Sequence, residues 1–294
     1  MMYYEEFEIT IKKLFEAVVG SDVQISSSIR WKNNNTLHRG LAFKVSGKNF
    51  APVIYLEAAY EAYTNGISIS DIYEKLYHTY KSLPLPENNI NALLDFENVK
   101  DKIVYKLVNY EQNEALLKDI PYVPYLDLAI VFYLLLDINQ NSVASMMIYN
   151  EALAMWGIDL ETLYSYAKEN TPKLLPVSIQ SMTSVMNEID PELVPEDFDA
   201  GMLILSNTYS NLGAGCILYD NILKKLGDCL HENFYILPSS THECIILPQS
   251  KAPGNLELKE MICDINHTLV DQDEVLSDHP YYYELQKEKL MIAA

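Results

Sequence analysis

Val23-Gln24-Ile25-Ser26-Ser27-Ser28-Ile29-Arg30 alternates residue by residue. Val23, Ile25, Ser27 and Ile29 fall on one side of an extended chain, and Gln24, Ser26, Ser28 and Arg30 on the other. A strand turns successive side chains to opposite faces, so this period of two predicts a strand. The polar run Asn33-Asn34-Asn35 supplies a turn, and a second strand over residues 36–45 completes a hairpin, with a third strand at 52–56. Upstream the period is different. Phe7, Ile11, Leu14, Phe15 and Val18 recur at steps of three and four and predict an amphipathic helix over 4–19.

Working outward toward the carboxyl end, helical patterns occupy 57–64 and 71–82, and a short helix runs to about residue 99. Residues 102–109 alternate again, and 111–118 read as helical. Residues 127–136 are a continuous β-favourable run, the pattern of a strand buried on both faces, and residues 145–148 are placed to pair with it. Asp159 caps a helix to about 170, and a further helix is expected over 177–189 after Pro172 and Pro176. Strands at 202–208, about 214–219, 233–238 and 242–248 alternate with helices at 220–231 and 255–270. The tail from 271 ends in a short helix or an edge strand. The expected class is α+β: mixed, largely antiparallel sheets with helices packed on them. The segment 190–200 (Asp190-Pro191-Glu192-Leu193-Val194-Pro195-Glu196-Asp197-Phe198-Asp199-Ala200) is rich in acids and proline. It is the expected connector between an N-terminal lobe, 1–189, and a C-terminal lobe, 201–294.

Composition narrows the function classes. Of 294 residues, 49% are hydrophobic and 21% charged, enough apolar mass for a sizeable core and too much for a disordered chain. The net charge of −20 makes the chain a poor partner for a phosphate backbone and for anionic membrane surfaces. The longest uncharged apolar run, residues 128–136, falls well short of the ~20 residues of a membrane span. The amino terminus has neither the basic start nor the apolar stretch of a secretory signal, and Cys216, Cys229, Cys244 and Cys263 are unclustered. A cytoplasmic setting with reduced thiols is therefore expected.

Several phrases stand in one order along the chain: residues 52–57 (PVIYLE), 126–132 (LDLAIVF), 170–172 (NTP), 213–219 (GAGCILY), 236–248 (ILPSSTHECIILP) and 274–278 (EVLSD). With these, nearly the whole chain resembles a family of uncharacterised bacterial proteins, a domain of unknown function common in anaerobic gut bacteria. The resemblance implies a bacterial cytoplasmic protein and carries no catalytic residue with it.

Three constellations bear on chemistry. Pro238-Ser239-Ser240-Thr241-His242-Glu243 supplies a hydroxyl, an imidazole and a carboxylate, the residue types of nucleophilic catalysis in a hydrolase or transferase. In an extended segment, however, His242 and Glu243 point to opposite faces, and no Gly-x-Ser-x-Gly elbow is present, so a tight hairpin with its hydroxyls on turn amides is the plainer reading. Cys229-x-His231, His242-x-Cys244 and Cys263-x-x-x-His267 contain zinc-ligand types but match no paired knuckle, and no cofactor is evident. The third is a reversal of sign. From Val23 to Leu56 the chain holds Arg30, Lys32, Arg39, Lys44, Lys48 and His38 and no acid, with Trp31 among them. Arg30, Trp31, Lys32 and Arg39 are thus the expected binding residues for a protein partner or a small anionic ligand, self-association included. Equally, these cations could neutralise Glu57 and Glu61 of the same chain. Gly213-Ala214-Gly215 lacks the third glycine of a dinucleotide fingerprint. The 22 tyrosines favour an interface by type.

Overall fold

A computed structural model describes residues 2–46, 51–82, 93, 95–139, 142–189, 201–238 and 240–293. The chain forms two compact units, one of residues 1–32 and 36–92, the other of residues 33–35 and 93–294.

The first unit contains helix α1 (Tyr4–Glu16), strands β1 (Val23–Trp31), β2 (Leu37–Val45) and β3 (Val53–Tyr55), then helices α2 (Glu57–Thr64) and α3 (Ile69–Ser82). The strands form an antiparallel sheet in the order β1-β2-β3. Phe7, Ile11 and Phe15 recur every four residues on α1, making one helical stripe, and they pack with Ile25, Leu41, Phe43, Ile54 and Leu56 of the sheet side. Tyrosine fills the rest. The Phe15 ring lies 5.0 Å from Phe43 and 5.2 Å from Tyr73, and Tyr80 lies 4.7 Å from Phe43. Tyrosine tolerates this burial because its hydroxyl finds a carbonyl: Tyr73 donates to Leu14 O at 3.3 Å and Tyr60 to Met2 O at 3.1 Å.

The second unit contains α4 (Phe96–Val99), β4 (Ile103–Asn109), β5 (Tyr122–Tyr125), β6 (Leu128–Asn139), β7 (Ser142–Met147), α5 (Asn150–Trp156), α6 (Leu160–Leu174), β8 (Val177–Ser181) and α7 (Met182–Ile189). It continues with β9 (Leu203–Asn207), α8 (Ile222–Leu230), β10 (Phe234–Leu237), β11 (Cys244–Pro248), α9 (Asn255–Thr268), β12 (Tyr281–Glu284) and β13 (Lys289–Ile292). Strands β4, β6 and β5 form one antiparallel sheet, with β7 on β6. The other runs β13-β12-β10-β11-β9-β8, again antiparallel throughout. The two share one core, in which Tyr105, Ile130 and Phe132 from the first meet Leu205, Phe234, Ile236 and Tyr281 from the second. The turn Asn33–Asn35 belongs to this unit. Asn34, at φ 57°, takes a hydrogen bond on its side-chain oxygen from Asn113 Nδ2 at 2.9 Å and gives its own amide N–H to Asn113 Oδ1 at 2.9 Å.

The α+β class holds, with every strand pair among the described residues antiparallel; three local expectations are corrected and one strand was not expected. Residues 177–181 are strand β8 rather than helix, because Val177-Ser178-Ile179-Gln180-Ser181 can pair with β9. Residues 213–218 form a 3-10 turn rather than a strand. Strand β5 was not expected, its alternation being interrupted by Pro124. Helix α6 also continues through Pro172 to Leu174. The segment 190–200 lies outside the described residues; β8 and β9 on either side of it pair in one sheet.

Close backbone approach decides one position in the first unit. A Cβ on Gly40 would lie 2.2 Å from Ile54 O, so β3 can pair with β2 there only against glycine. Gly40→Ala is expected to cost about 1–3 kcal/mol and to lower the Tm of the first unit, measured by thermal unfolding.

Candidate functional site

The hairpin residues of the first unit sort into engaged and open. Arg39 is engaged: its guanidinium lies 3.5 Å from Glu5 and over the ring of Tyr4, and its backbone N–H donates to Glu57. Glu57 is further met by His38 Nδ1 at 3.8 Å. Lys32 stands over the Tyr55 ring, 4.1 Å from its centre. Arg30 is open; it makes no ion pair with a described residue and reaches only its neighbour's carbonyl, Ile29 O, at 3.5 Å. Trp31 is 67% exposed and Ile29 57%, and Leu37, opposite Trp31 in the register, is also exposed. Lys48 lies outside the described residues. The sign reversal is therefore partly internal neutralisation through Arg39, with Glu5 rather than Glu61 as the partner, and partly a free apolar and basic surface at Ile29, Arg30 and Trp31.

In the second unit, Ser239 lies outside the described residues. His242 is held on both ring nitrogens. The Leu212 N–H donates to Nδ1 at 3.3 Å, which leaves the proton on Nε2, and Nε2 meets Glu274 Oε1 at 3.0 Å. Ser240 is not directed at the ring: its Oγ accepts the backbone N–H of His242 at 3.0 Å, a local turn bond. Thr241 N–H donates to Glu274 O, and Ser277 N–H to Pro238 O, so the loop is stitched to the segment 274–277. Gly213 completes the packing. A Cβ there would lie 2.3 Å from His242 O. Burial raises the pKa of Glu243, opposed by the charge of neighbouring His242.

The cysteine and histidine pairs stay apart. Cys244 is fully buried in β11, Cys229 is exposed on α8, and His267 on α9 donates from Nδ1 to Cys263 O at 2.6 Å within its own helix. His231, at the end of α8, takes a left-handed backbone conformation (φ 58°). Among the described residues no three His, Cys, Asp or Glu side chains gather as metal ligands. Burial pushes the thiol of Cys216 up to about 12 and that of Cys244 up as well, which disfavours the thiolate that binds metal or attacks substrate.

A further constellation had no local signal. The Asp127 carboxylate accepts three side-chain donors: Tyr281 O–H on Oδ1 at 2.5 Å, and Ser277 O–H at 2.5 Å and His279 Nδ1 at 3.3 Å on Oδ2. Ser277 and Tyr281 are fully buried. Burial and the neighbouring negative charge of Asp127 both raise the Tyr281 pKa, so the phenol stays protonated and donates. Asp127 follows Leu126, which at φ 54° makes the tight β5–β6 turn without glycine. A groove of about 460 Å³ opens elsewhere in this unit between Pro172, Pro176, Val177 and Ile222. Its lysines are already matched, Lys168 with Asp220 at 3.0 Å and Lys173 with Glu169 at 2.7 Å.

Fold and site define an α+β protein on three antiparallel sheets, with a tightly bonded loop in one unit and an exposed stretch of β1, Ile29–Trp31, in the other. Among the described residues no helix is long and apolar enough to cross a membrane. The chain belongs to a family of unknown function, DUF5688, whose profile matches residues 4–285. No curated protein and no solved structure matches it.

Two outcomes follow from the polar geometry. Tyr281→Phe removes a donor to a carboxylate and should cost about 1.5–3 kcal/mol in denaturant unfolding, more than Tyr282→Phe, whose hydroxyl meets only the neutral Gln249 side chain. For Glu243 the charged form is the one penalised by folding. Its contribution is therefore intact below the unfolded carboxyl range near pH 4 and is lost as pH rises through the raised folded value. Glu243→Gln should raise the Tm at pH 7 and leave it unchanged near pH 3.

Proposed function

We propose that this chain is a cytoplasmic binding protein that takes a protein partner on the outer strand of the β1–β2 hairpin, at Ile29–Trp31. Trp31, two-thirds exposed beside an Arg30 that makes no ion pair with a described residue, is the observation that carries this reading. Exposed tryptophan and arginine are the residue types that dominate contact energies when a partner covers them. Ile29 and Leu37 extend the apolar part of the same surface, and Lys32 adds charge beside it. The surrounding stretch has no acid, in a chain of net charge −20, which favours a partner segment bearing carboxylates. Arg39 supports the surface from inside the unit through Glu5 and Tyr4. The four free thiols agree with a reducing compartment. The hydrolase reading of residues 238–243 draws less support, because both nitrogens of His242 are committed to Leu212 and Glu274.

The test uses Trp156→Phe, which leaves Trp31 as the sole tryptophan. At submicromolar chain, a saturable blue shift of Trp31 emission is expected with an extended glutamate-rich peptide, and Arg30→Glu should abolish it without moving the Tm. Arg39→Glu, which sets like charge beside Glu5 and Glu57, should lower the Tm. A shift produced by inorganic phosphate alone would replace the protein partner with a small anion. If neither the peptide, nor phosphate, nor rising chain concentration moves the emission, the hairpin is not a contact surface.

A further inference from the structure

Among the described residues, strand β1 is the outermost strand of its sheet and pairs only with β2. Which of its backbone groups face outward follows from the bonds on the inner side. Lys32 N–H donates to Thr36 O and Ser46 N–H to Asp22 O, so even-numbered residues of β1 face β2. On β2 the odd residues face the other way: Phe43 N–H donates to Pro52 O, and Arg39 O accepts from Leu56 N–H. Hence Ile25, Ser27, Ile29 and Trp31 present their N–H and C=O groups to the free edge. No backbone partner meets them there among the described residues, and Gln24, Ser26, Ser27, Ile29, Arg30 and Trp31 are exposed. A nine-residue edge without proline, glycine or an inward-pointing charge is a template for another strand.

The chemistry of the strand names that other strand. Read from Asp22 to Lys32 and back again about Ser27, the sequence meets its own complement. Antiparallel pairing centred on Ser27 sets Asp22 against Lys32, Val23 against Trp31, Gln24 against Arg30, Ile25 against Ile29 and Ser26 against Ser28. The outward-facing odd residues then bond to odd residues, as an antiparallel ladder requires. The apolar pairs share the face that carries Ile25, the charge pair is opposite in sign, and Arg30 never faces Arg30. The exposed Ile29 and Trp31 each gain an apolar neighbour.

We infer that β1 pairs with β1 of a second copy about a two-fold axis through Ser27, joining two three-stranded sheets into one of six. This deepens the reading of the hairpin as a contact surface and rests on it. The contact is isologous, so it closes at two copies. Its salt dependence is distinctive: two chains of charge −20 repel at long range, so screening should not weaken the pairing, whereas the grip of cations on an acidic peptide falls with salt.

Sedimentation of the full chain from about 1 to 200 µM tests this. The expected result is a rise from the 33.6 kDa chain mass to twice that value, retained in 0.5 M salt, with Ile29→Lys weakening association about tenfold or more while near-UV circular dichroism is unchanged. Register is read by cysteine in a Cys229→Ser, Cys263→Ser background. Opposed Cα atoms in such a ladder lie about 5.5 Å apart, within disulfide reach, so Ser27→Cys should link two chains on mild oxidation. Gln24→Cys, displaced from its copy by roughly 20 Å along the strand, should not. A single 33.6 kDa species throughout, or a dimer in which Ser27→Cys stays unlinked or Gln24→Cys links equally well, overturns the inference. If the glutamate-rich peptide still shifts Trp31 in that case, the contact surface stands with a different partner.

Discussion

The second unit depends on one carboxylate. Asp127 stands where the four-stranded sheet begins its central strand β6; two of its donors, Ser277 and His279, lie on the segment that leads into β12 of the six-stranded sheet, and the third, Tyr281, is its first residue. Apolar burial gives the shared core most of its free energy but little orientation, since it is non-directional. Hydrogen bonds to an ionised acceptor are directional and strong, and two of these are at the short end of their range. Buried Ser277 and Tyr281 have little alternative, as their hydroxyls would otherwise be left without acceptors. The same segment, 274–277, also holds Pro238, Thr241 and His242, so one anchored stretch fixes both the junction of two sheets and the position of His242.

Much of the fold was legible because its signals are local. The alternation of Val23–Trp31 and the continuous run in β6 needed only a period to be read, and Asp159 announced its helix by accepting the Thr162 N–H at 2.8 Å. What escaped was decided by partners distant in sequence. Residues 177–181 become β8 because β9 offers an edge to them, and 213–218 turn because Gly213 lets the backbone approach His242 O. The candidate site divides in the same way. The basic stretch and Trp31 could be seen in the sequence, but which cation was free could not, since Arg39 is claimed by Glu5. Asp127 and Tyr281 are 154 residues apart and belong to no motif.

Tyrosine abundance has a partly internal explanation. In the first unit Tyr60, Tyr63, Tyr73, Tyr77 and Tyr80 line the helical side of the core, where rings pack edge to face or stacked on Phe7, Phe15 and Phe43. A small unit with a three-stranded sheet has few positions to bury, and large rings with a polar tip supply area without leaving hydroxyls stranded. The interface signal that tyrosine carries by type is absorbed there, which leaves tryptophan and arginine to mark the outside.

The two tryptophans are divided between the units and differ in setting. Trp156 packs against Phe96 and gives its indole N–H to Leu93 O at 3.0 Å, whereas Trp31 is already largely in water. Unfolding therefore changes the surroundings of the first far more than those of the second. The chain thus holds two separable optical channels: one reports whether the larger unit is folded, and the other reports whether anything is touching the smaller one.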